Sequence, residues 1–556
     1  MRENVVKFKL PTIDRLYDRA NALCDEGDYA SALSSLWYAA ERESDNADIY
    51  AHIADIYTEL GLYDNAVYCW FLFMNKSRKK DYIDGYNGLG ANFYFLGNKA
   101  MAGYYFNKQL KCGYDTECVY QDVLEDYIDE LSDDVKDSYR VVYPESREEI
   151  DGKKIDDAED LNEKQDYIAA VDVLKTVGKD SPLYPEAVSV TARSEYYLNR
   201  PEAALEHIRE AIALGEKDAE NYFFELEVLA NMGKEDEFYA VYETFKNEKY
   251  DEIADMYKKL NMMCDFGFED DALKVADDIL TVEPNDANTI YIKGLLLHNK
   301  GDDESAESYL HKSYLYSRSP IAHYFLREIR HGNKTRFPIG FDLPTDEIER
   351  RVGLIKNILS GEIAPEKIDY DDVSDIAEWV YGGNSQSLQI AVSIVLTRAN
   401  DEDALEYVAE KLVSPMLSDD VKHRMLSMLC ESGYNREVGV VYGNVFRKIR
   451  IPVAAFGDKG KDAFTKAFAI AFGRLTLTGH ESFGKLSVGA EELQKELIYA
   501  GNADKVFELS ALACAIYLYS GLKILTGKSD DNSVAYDLFG VKKEDVVKIL
   551  KMTEKQ

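Results

Sequence analysis

Apolar and small residues return at a fixed interval through the first part of the chain. Gly27 and Gly61 are 34 residues apart, and Gly233, Gly267 and Gly301 keep the same interval. Around each glycine one arrangement recurs. A small or apolar residue stands seven before it and an apolar or aromatic one four before it, with alanine-type and bulky residues five and nine after it. One unit reads Ala54, Tyr57, Gly61, Ala66, Trp70, and the next reads Gly90, Phe93, Gly97, Ala102, Phe106. Later units read Leu260, Met263, Gly267, Ala272, Ala276 and then Gly294, Leu297, Gly301, Ala306, Leu310. This spacing predicts two antiparallel amphipathic helices per unit, with glycine supplying the positive φ that ends the first. Small residues let the two helices approach. The bulky ones fill the space between one pair and the next, because a lone pair cannot cover its own apolar face.

These residues resemble the tetratricopeptide repeat, a small, aromatic, glycine, alanine, aromatic series over 34 residues with a proline closing the second helix. Pro182 and Pro284 fall at that closing place. The resemblance covers about residues 13–330. It implies an all-α fold: a right-handed superhelix, or α-α solenoid, whose first helices line an inner, concave wall that holds another protein or peptide. Steps of 34 from Gly97 land on Leu131, Gln165, Asn199 and then Gly233, so the register persists where the turn glycine is lost. Tyr120, Leu124 and Tyr127 take first-helix core places of one unit, and Tyr167, Ala170 and Leu174 second-helix places of the next.

Residues 145–166 carry ten acids against four bases and few apolar positions. They read as a degenerate, mobile junction between an N-terminal block, 1–144, and a central block, 167–331; a plain acidic linker of matching length is the alternative. Residues 332–344, with two prolines and two glycines, read as a domain boundary. Beyond it, Ala404–Pro415 and Asp419–Cys430 form a helix, a proline turn and a second helix that weakly resemble a HEAT pair within a helical region, 345–435. Two β-rich runs in Glu437–Pro452 flank Gly443-Asn444, a hairpin-turn dipeptide. This hairpin opens a C-terminal helical domain, 436–556. Its last segment, Ala511–Gln556, weakly resembles the end of a cyclin-box or helix-turn-helix fold. There Tyr536 stands where a small residue is wanted, and Glu544 and Asp545 face the place where bases would be read.

Charge narrows the partners. The formal net charge is −37, from 102 acids and 65 bases, which repels phosphate backbones and anionic membranes and favours a neutral-to-basic partner. Seven scattered cysteines without CxxC pairing read as buried thiols in a reducing compartment. The first ten residues lack a signal-peptide h-region and no apolar run reaches membrane-span length, so a cytoplasmic location is expected.

Catalytic signatures are missing: there is no GxxxxGK[ST], HExxH or GxSxG motif. The eight histidines include no metal-ligand pair with cysteine or carboxylate. No catalytic residue, cofactor or metal is expected, although an enzyme without a local signature in residues 345–556 is a rival reading. The candidate site is the first-helix wall of the central block. One place per repeat gives Ser189, Phe223, Tyr257 and Tyr291, each 34 from the last. Neighbouring places give Arg193, Tyr196, Tyr197, Asn231, Asn261, Asn288, His298 and Asn299. Aromatic rings supply contact area, and asparagine amides hold an extended peptide backbone whatever its side chains. Glu186, Glu220, Glu227 and Asp265 would favour lysine or arginine in the ligand. The alternative is that Phe223, Tyr257 and Tyr291 stack on one another as core. In the N-terminal block the equivalent places give Asp48, Ala51, Asp55 and Glu59, then Asn87, Ala91, Tyr94 and Phe95, an acidic surface that disfavours an acidic-tailed ligand. A non-catalytic scaffold or adaptor is therefore expected. The alternative is a peptide-sensing, transcription-associated regulator that uses its helix-turn-helix-like end.

Overall fold

A computed structural model describes residues 12–78, 81–112, 118–128, 147–363, 370–399, 401–480, 483–523 and 532–553. They are helical throughout except for one two-stranded sheet. The residues divide into two compact units, one of Met1–Asp133, Tyr314–Tyr324 and Asp342–Gln556, the other of Asp134–Ser313 and Phe325–Phe341.

The 34-residue register decides where helices end. At Gly27, Gly61, Gly97, Gly233, Gly267 and Gly301 φ lies between 67° and 86°, and Gln165 and Asn199, two steps of the register that lack glycine, have φ of 62° and 61°. At each of these turns the same two backbone bonds close the helix. The turn residue's N–H reaches the carbonyl three before it, and the next N–H reaches the carbonyl five before, as in Gly267 N to Cys264 O at 3.0 Å and Phe268 N to Met263 O at 2.7 Å. This doubly bonded helix end needs a left-handed residue. The non-glycine positions adopt it because neighbouring pairs fix the geometry. Leu131 lies outside the described residues.

In the second unit the helix pairs are Arg147–Glu163 with Tyr167–Leu174, Tyr184–Tyr197 with Pro201–Leu214, Ala219–Asn231 with Glu235–Asn247, and Ile253–Asp265 with Glu269–Val282. Ala287–Asn299 follows with the start of Asp303–Ser317. Five residues past the turn, Ala170, Ala204, Ala272 and Ala306 are all fully buried. Phe238 takes that place in the third pair, against Phe266 and Phe268 at 5.2 and 6.3 Å. Gly294 shows why the first helix wants a small residue: a Cβ there would sit 2.7 Å from Leu310 Cγ. The acidic stretch 145–166 contains the helix Arg147–Glu163, which buries Ile155 and Ala158 against Ala170, Leu174, Ala187 and Val190. Two apolar residues three apart suffice to anchor one helical stripe, while the acids cover the rest.

In the first unit three further pairs, Ile13–Asp25 with Tyr29–Arg42, Ala47–Glu59 with Tyr63–Lys76 and Tyr82–Phe95 with Lys99–Cys112, repeat the pattern. The C-terminal helices from Thr345 onward share one core that runs from Ile355 to Ile549. It includes Glu402–Lys411 and Asp419–Glu431 and the antiparallel strands β1, Glu437–Tyr442, and β2, Val445–Arg450, paired in the register Tyr442 to Val445. Gly443 and Asn444 both have positive φ, 53° and 61°, as a two-residue turn matching strand twist demands. Asn75 Oδ1 accepts the Gly439 N–H at 3.0 Å, Lys448 donates to Ser77 O at 3.0 Å, and the buried Lys422 donates to Val441 O at 2.6 Å. Gly540, with φ of 64°, joins the short helices Ser533–Phe539 and Lys543–Lys551, where Glu544 and Asp545 are exposed. Cysteines 69, 118, 430 and 514 are buried, but Cys112 is exposed because it falls at the end of its helix.

Candidate peptide-binding face

The register sets the candidate side chains in rows. Ser189, Phe223, Tyr257 and Tyr291 lie within four successive first helices, and Tyr197, Asn231, Asp265 and Asn299 are the last residues of the same four. The first three helices present a partly open surface. Arg193 is half-buried and donates to Ser189 Oγ at 3.1 Å and Asn221 Oδ1 at 3.2 Å, with Glu220 at 3.0 Å. It therefore knits two repeats together. Tyr196 accepts from Asn231 Nδ2 at 2.5 Å, and the exposed Tyr197 stacks on Tyr167 at 5.1 Å. Burial, and then the half-buried Glu227 close by, push the Tyr196 phenol up. Phe223 packs on Phe266 at 5.6 Å, and Tyr257 donates to Glu283 at 3.1 Å. Phe223, Tyr257 and Tyr291 thus engage separate partners and do not form a common stack.

Asn261, Asp265 and Asn288 are exposed. Partial desolvation lifts the Asp265 carboxyl. It lifts that of Glu186 too, with added repulsion from Glu216, Glu159 and Asp156. Glu220 is held low by the hydrogen bond from Lys258. Among the described residues no cluster of three histidine, cysteine or carboxylate groups could hold a metal, and no helix is long and apolar enough to cross a membrane.

The last first helix, Ala287–Asn299, differs because the chain itself lies on it. Asn299 Oδ1 accepts the Phe337 N–H at 2.8 Å while Asn299 Nδ2 donates to the Phe337 carbonyl at 3.0 Å and to Glu269 at 3.1 Å. The His298 ring stacks on Phe337 at 3.9 Å; its Nε2 donates to Thr335 O at 2.9 Å and its Nδ1 meets Asp303 at 2.7 Å. Tyr291 donates to Gly340 O at 2.9 Å and packs against Phe341 at 5.5 Å. Two cations of the segment meet two acids: Lys334 pairs with Asp303, and Arg336 with Glu269 at 2.5 Å. The Lys334 hydrogen bond, more than that of His298, holds the Asp303 carboxyl below its usual range. Tyr291 and His298, expected on an open wall, are 4% exposed because this segment covers them. The sequence places residues 332–344 at a boundary by their prolines and glycines, and nothing in that composition reveals where the backbone rests.

The direction of the segment follows from lengths. His298 and Asn299 hold Thr335 and Phe337, and Tyr291, eight residues earlier, holds Gly340. Eight helical residues span about 12 Å and three to four extended residues about 10–13 Å, so the segment runs extended and antiparallel to the helix.

The sequence model of the tetratricopeptide repeat matches residues 17–72. No curated relative matches. Among solved structures the chain is similar to yeast Tom70, at 13% identity, covering 95% of this chain and 98% of that one with a TM-score of 0.29. It is also similar to the TPR2AB domain of yeast Sti1 in complex with an HSP90 peptide, at 15% identity, covering 48% and 96% with a TM-score of 0.21. The P58(IPK) TPR domain matches at 15% identity over 57% of this chain and 97% of that one, with a TM-score of 0.22. The matched segment contains Gly27 and Gly61, and the turn chemistry at those glycines recurs at every described step of the register through Gly301, so the chain carries tetratricopeptide repeats.

Proposed function

We propose that this protein is a non-catalytic scaffold whose first-helix face, from Tyr184–Tyr197 to Ala287–Asn299, binds an extended, neutral-to-basic segment of a partner protein. One observation carries the reading. Asn299 closes two hydrogen bonds on the Phe337 backbone while Glu269 and Asp303 take the adjacent Arg336 and Lys334, which is how such a ligand would be held. A side-chain amide grips any extended backbone, and the acids select cations. Tyr197, Asn231, Asn261 and Asp265 offer the same groups, exposed, on the three preceding helices.

The test is fluorescence anisotropy on the full chain with labelled nine-residue peptides of Lys-Gly or Glu-Gly repeats. The basic peptide binds and the acidic one does not, and Tyr257→Ala weakens the basic complex about 5- to 30-fold, the span of a 1–2 kcal/mol aromatic contact, without lowering the melting temperature. Equal binding of both peptides, or an unchanged affinity in Tyr257→Ala, refutes it.

A further inference from the structure

Resting on that reading, we propose that residues 333–341 are a tethered, displaceable ligand of the last repeats, and that the external partner is an extended peptide of the same order: cation, spacer, cation, aromatic.

The segment is held as a ligand would be. Its cations are at the surface, Lys334 with 74% and Arg336 with 64% of the side chain exposed, so they steer the segment more than they build the core. Phe337 alone enters a pocket, between the His298 ring and Phe325 at 4.8 Å, and is 4% exposed. Pro338 biases Phe337 toward the extended backbone whose N–H and C=O Asn299 pairs. Backbone acceptors at Thr335 and Gly340 go to side chains of one helix, His298 and Tyr291. Both partners of the His298 ring are oxygens, the Thr335 carbonyl of the segment and the Asp303 carboxylate.

Such a contact is separable from the fold, because the helix pair beneath it has its own core. Ile290, Leu295 and Leu296 are at most 1% exposed, and Leu310 is fully buried. A tethered occupant lowers apparent affinity for a free competitor by the ratio of its effective concentration to its intrinsic dissociation constant. With an effective concentration of about 1 mM and an intrinsic dissociation constant of about 100 μM, that ratio is about tenfold.

The experiment uses the full chain and a labelled synthetic peptide of residues 333–341, with the Lys-Gly peptide as a second probe. In the wild type the peptide binds weakly. In the K334E/R336E variant, whose changes are at the surface, it binds at least tenfold more tightly, and adding Asn299→Ala removes the gain. In wild-type hydrogen exchange the Phe337 amide exchanges faster than the amides of residues 290–296, as a segment that leaves without unfolding the helix must. A Phe337 amide as slow as that helix, or equal peptide affinity in wild type and K334E/R336E, overturns the inference. If the Lys-Gly peptide still binds in a Tyr257-dependent way, only the tethered ligand is lost. If no basic peptide binds any variant, the binding face falls with it.

Discussion

Replacing Lys422 by methionine stabilises the protein near neutral pH, and the gain disappears in mild alkali. Lys422 is 2% exposed and its ammonium has one hydrogen bond, to Val441 O at 2.6 Å. Burial lowers its pKa to about 8, with the nearby Asp419 opposing the shift. In the unfolded chain it titrates near 10.4, about 2.4 units higher. The folded value lies below the unfolded one, so between the two the unfolded chain holds more protons and the lysine's penalty falls as pH rises. At pH 7 that penalty is about 3 kcal/mol, at about 1.36 kcal/mol per unit. Methionine removes it but loses the bond to Val441, about 1 kcal/mol, for a net gain of about 2 kcal/mol. At pH 9.4 the remaining penalty is about 1.4 kcal/mol, close to the lost bond, and the two proteins have nearly equal stability. Buried tyrosines and thiols titrate alike in both and cancel in the difference. Urea unfolding followed by tryptophan fluorescence reads the right region, because Trp37, Trp70 and Trp379 belong to the same unit as Lys422. A methionine variant less stable than wild type at pH 7, or a gap unchanged between pH 7 and 9.4, contradicts the argument.

Two further outcomes test the repeat grid. Gln165→Gly and Asn199→Gly each raise stability, by about 0.5–1 kcal/mol for the glutamine and less for the asparagine, because a left-handed backbone suits glycine best and asparagine next; denaturant midpoints that fall in either variant count against the turn assignment. Gly294→Ala lowers stability by about 1–3 kcal/mol through the clash with Leu310, and Leu310→Ala in the same chain shows less than the sum of the two losses in a double-mutant cycle; strict additivity means the two residues do not share that contact.

Much of the fold was legible because the repeat puts one demand on the backbone at one interval. The 34-residue step locates Gln165 and Asn199 as turns although neither is glycine, and the buried alanines five positions later follow from the same count. The hairpin at Gly443-Asn444 was legible for a similar reason, a dipeptide that takes two positive φ values. Composition misled where it averaged over a helix face. In 145–166 the acids outweigh the few apolar residues in any window, yet Ile155 and Ala158 occupy a single stripe. The candidate site could be read as a row of residue types and not as a set of contacts. The positions of Asn299, His298 and Tyr291 came from the register, but that residues 333–341 rest on them depends on where a proline-rich segment returns, which no periodicity encodes.

The row also has a gradient along it. Tyr197, Asn231, Asp265 and Asn299 end successive first helices, so a ligand crossing the repeats would meet each in turn. Asn231 gives its amide to Tyr196 at 2.5 Å, and gripping a backbone there requires breaking that bond first, at about 1 kcal/mol. Asp265 is exposed and offers a carboxylate but no donor, so it selects a cation without reading a backbone. At Asn299 alone the amide already closes both bonds on an extended chain, with Glu269 and Asp303 beside it for cations. Under the proposed function, backbone grip and charge selection coincide there, so the strongest contact with a ligand is expected at the end of the row where the chain's own segment lies.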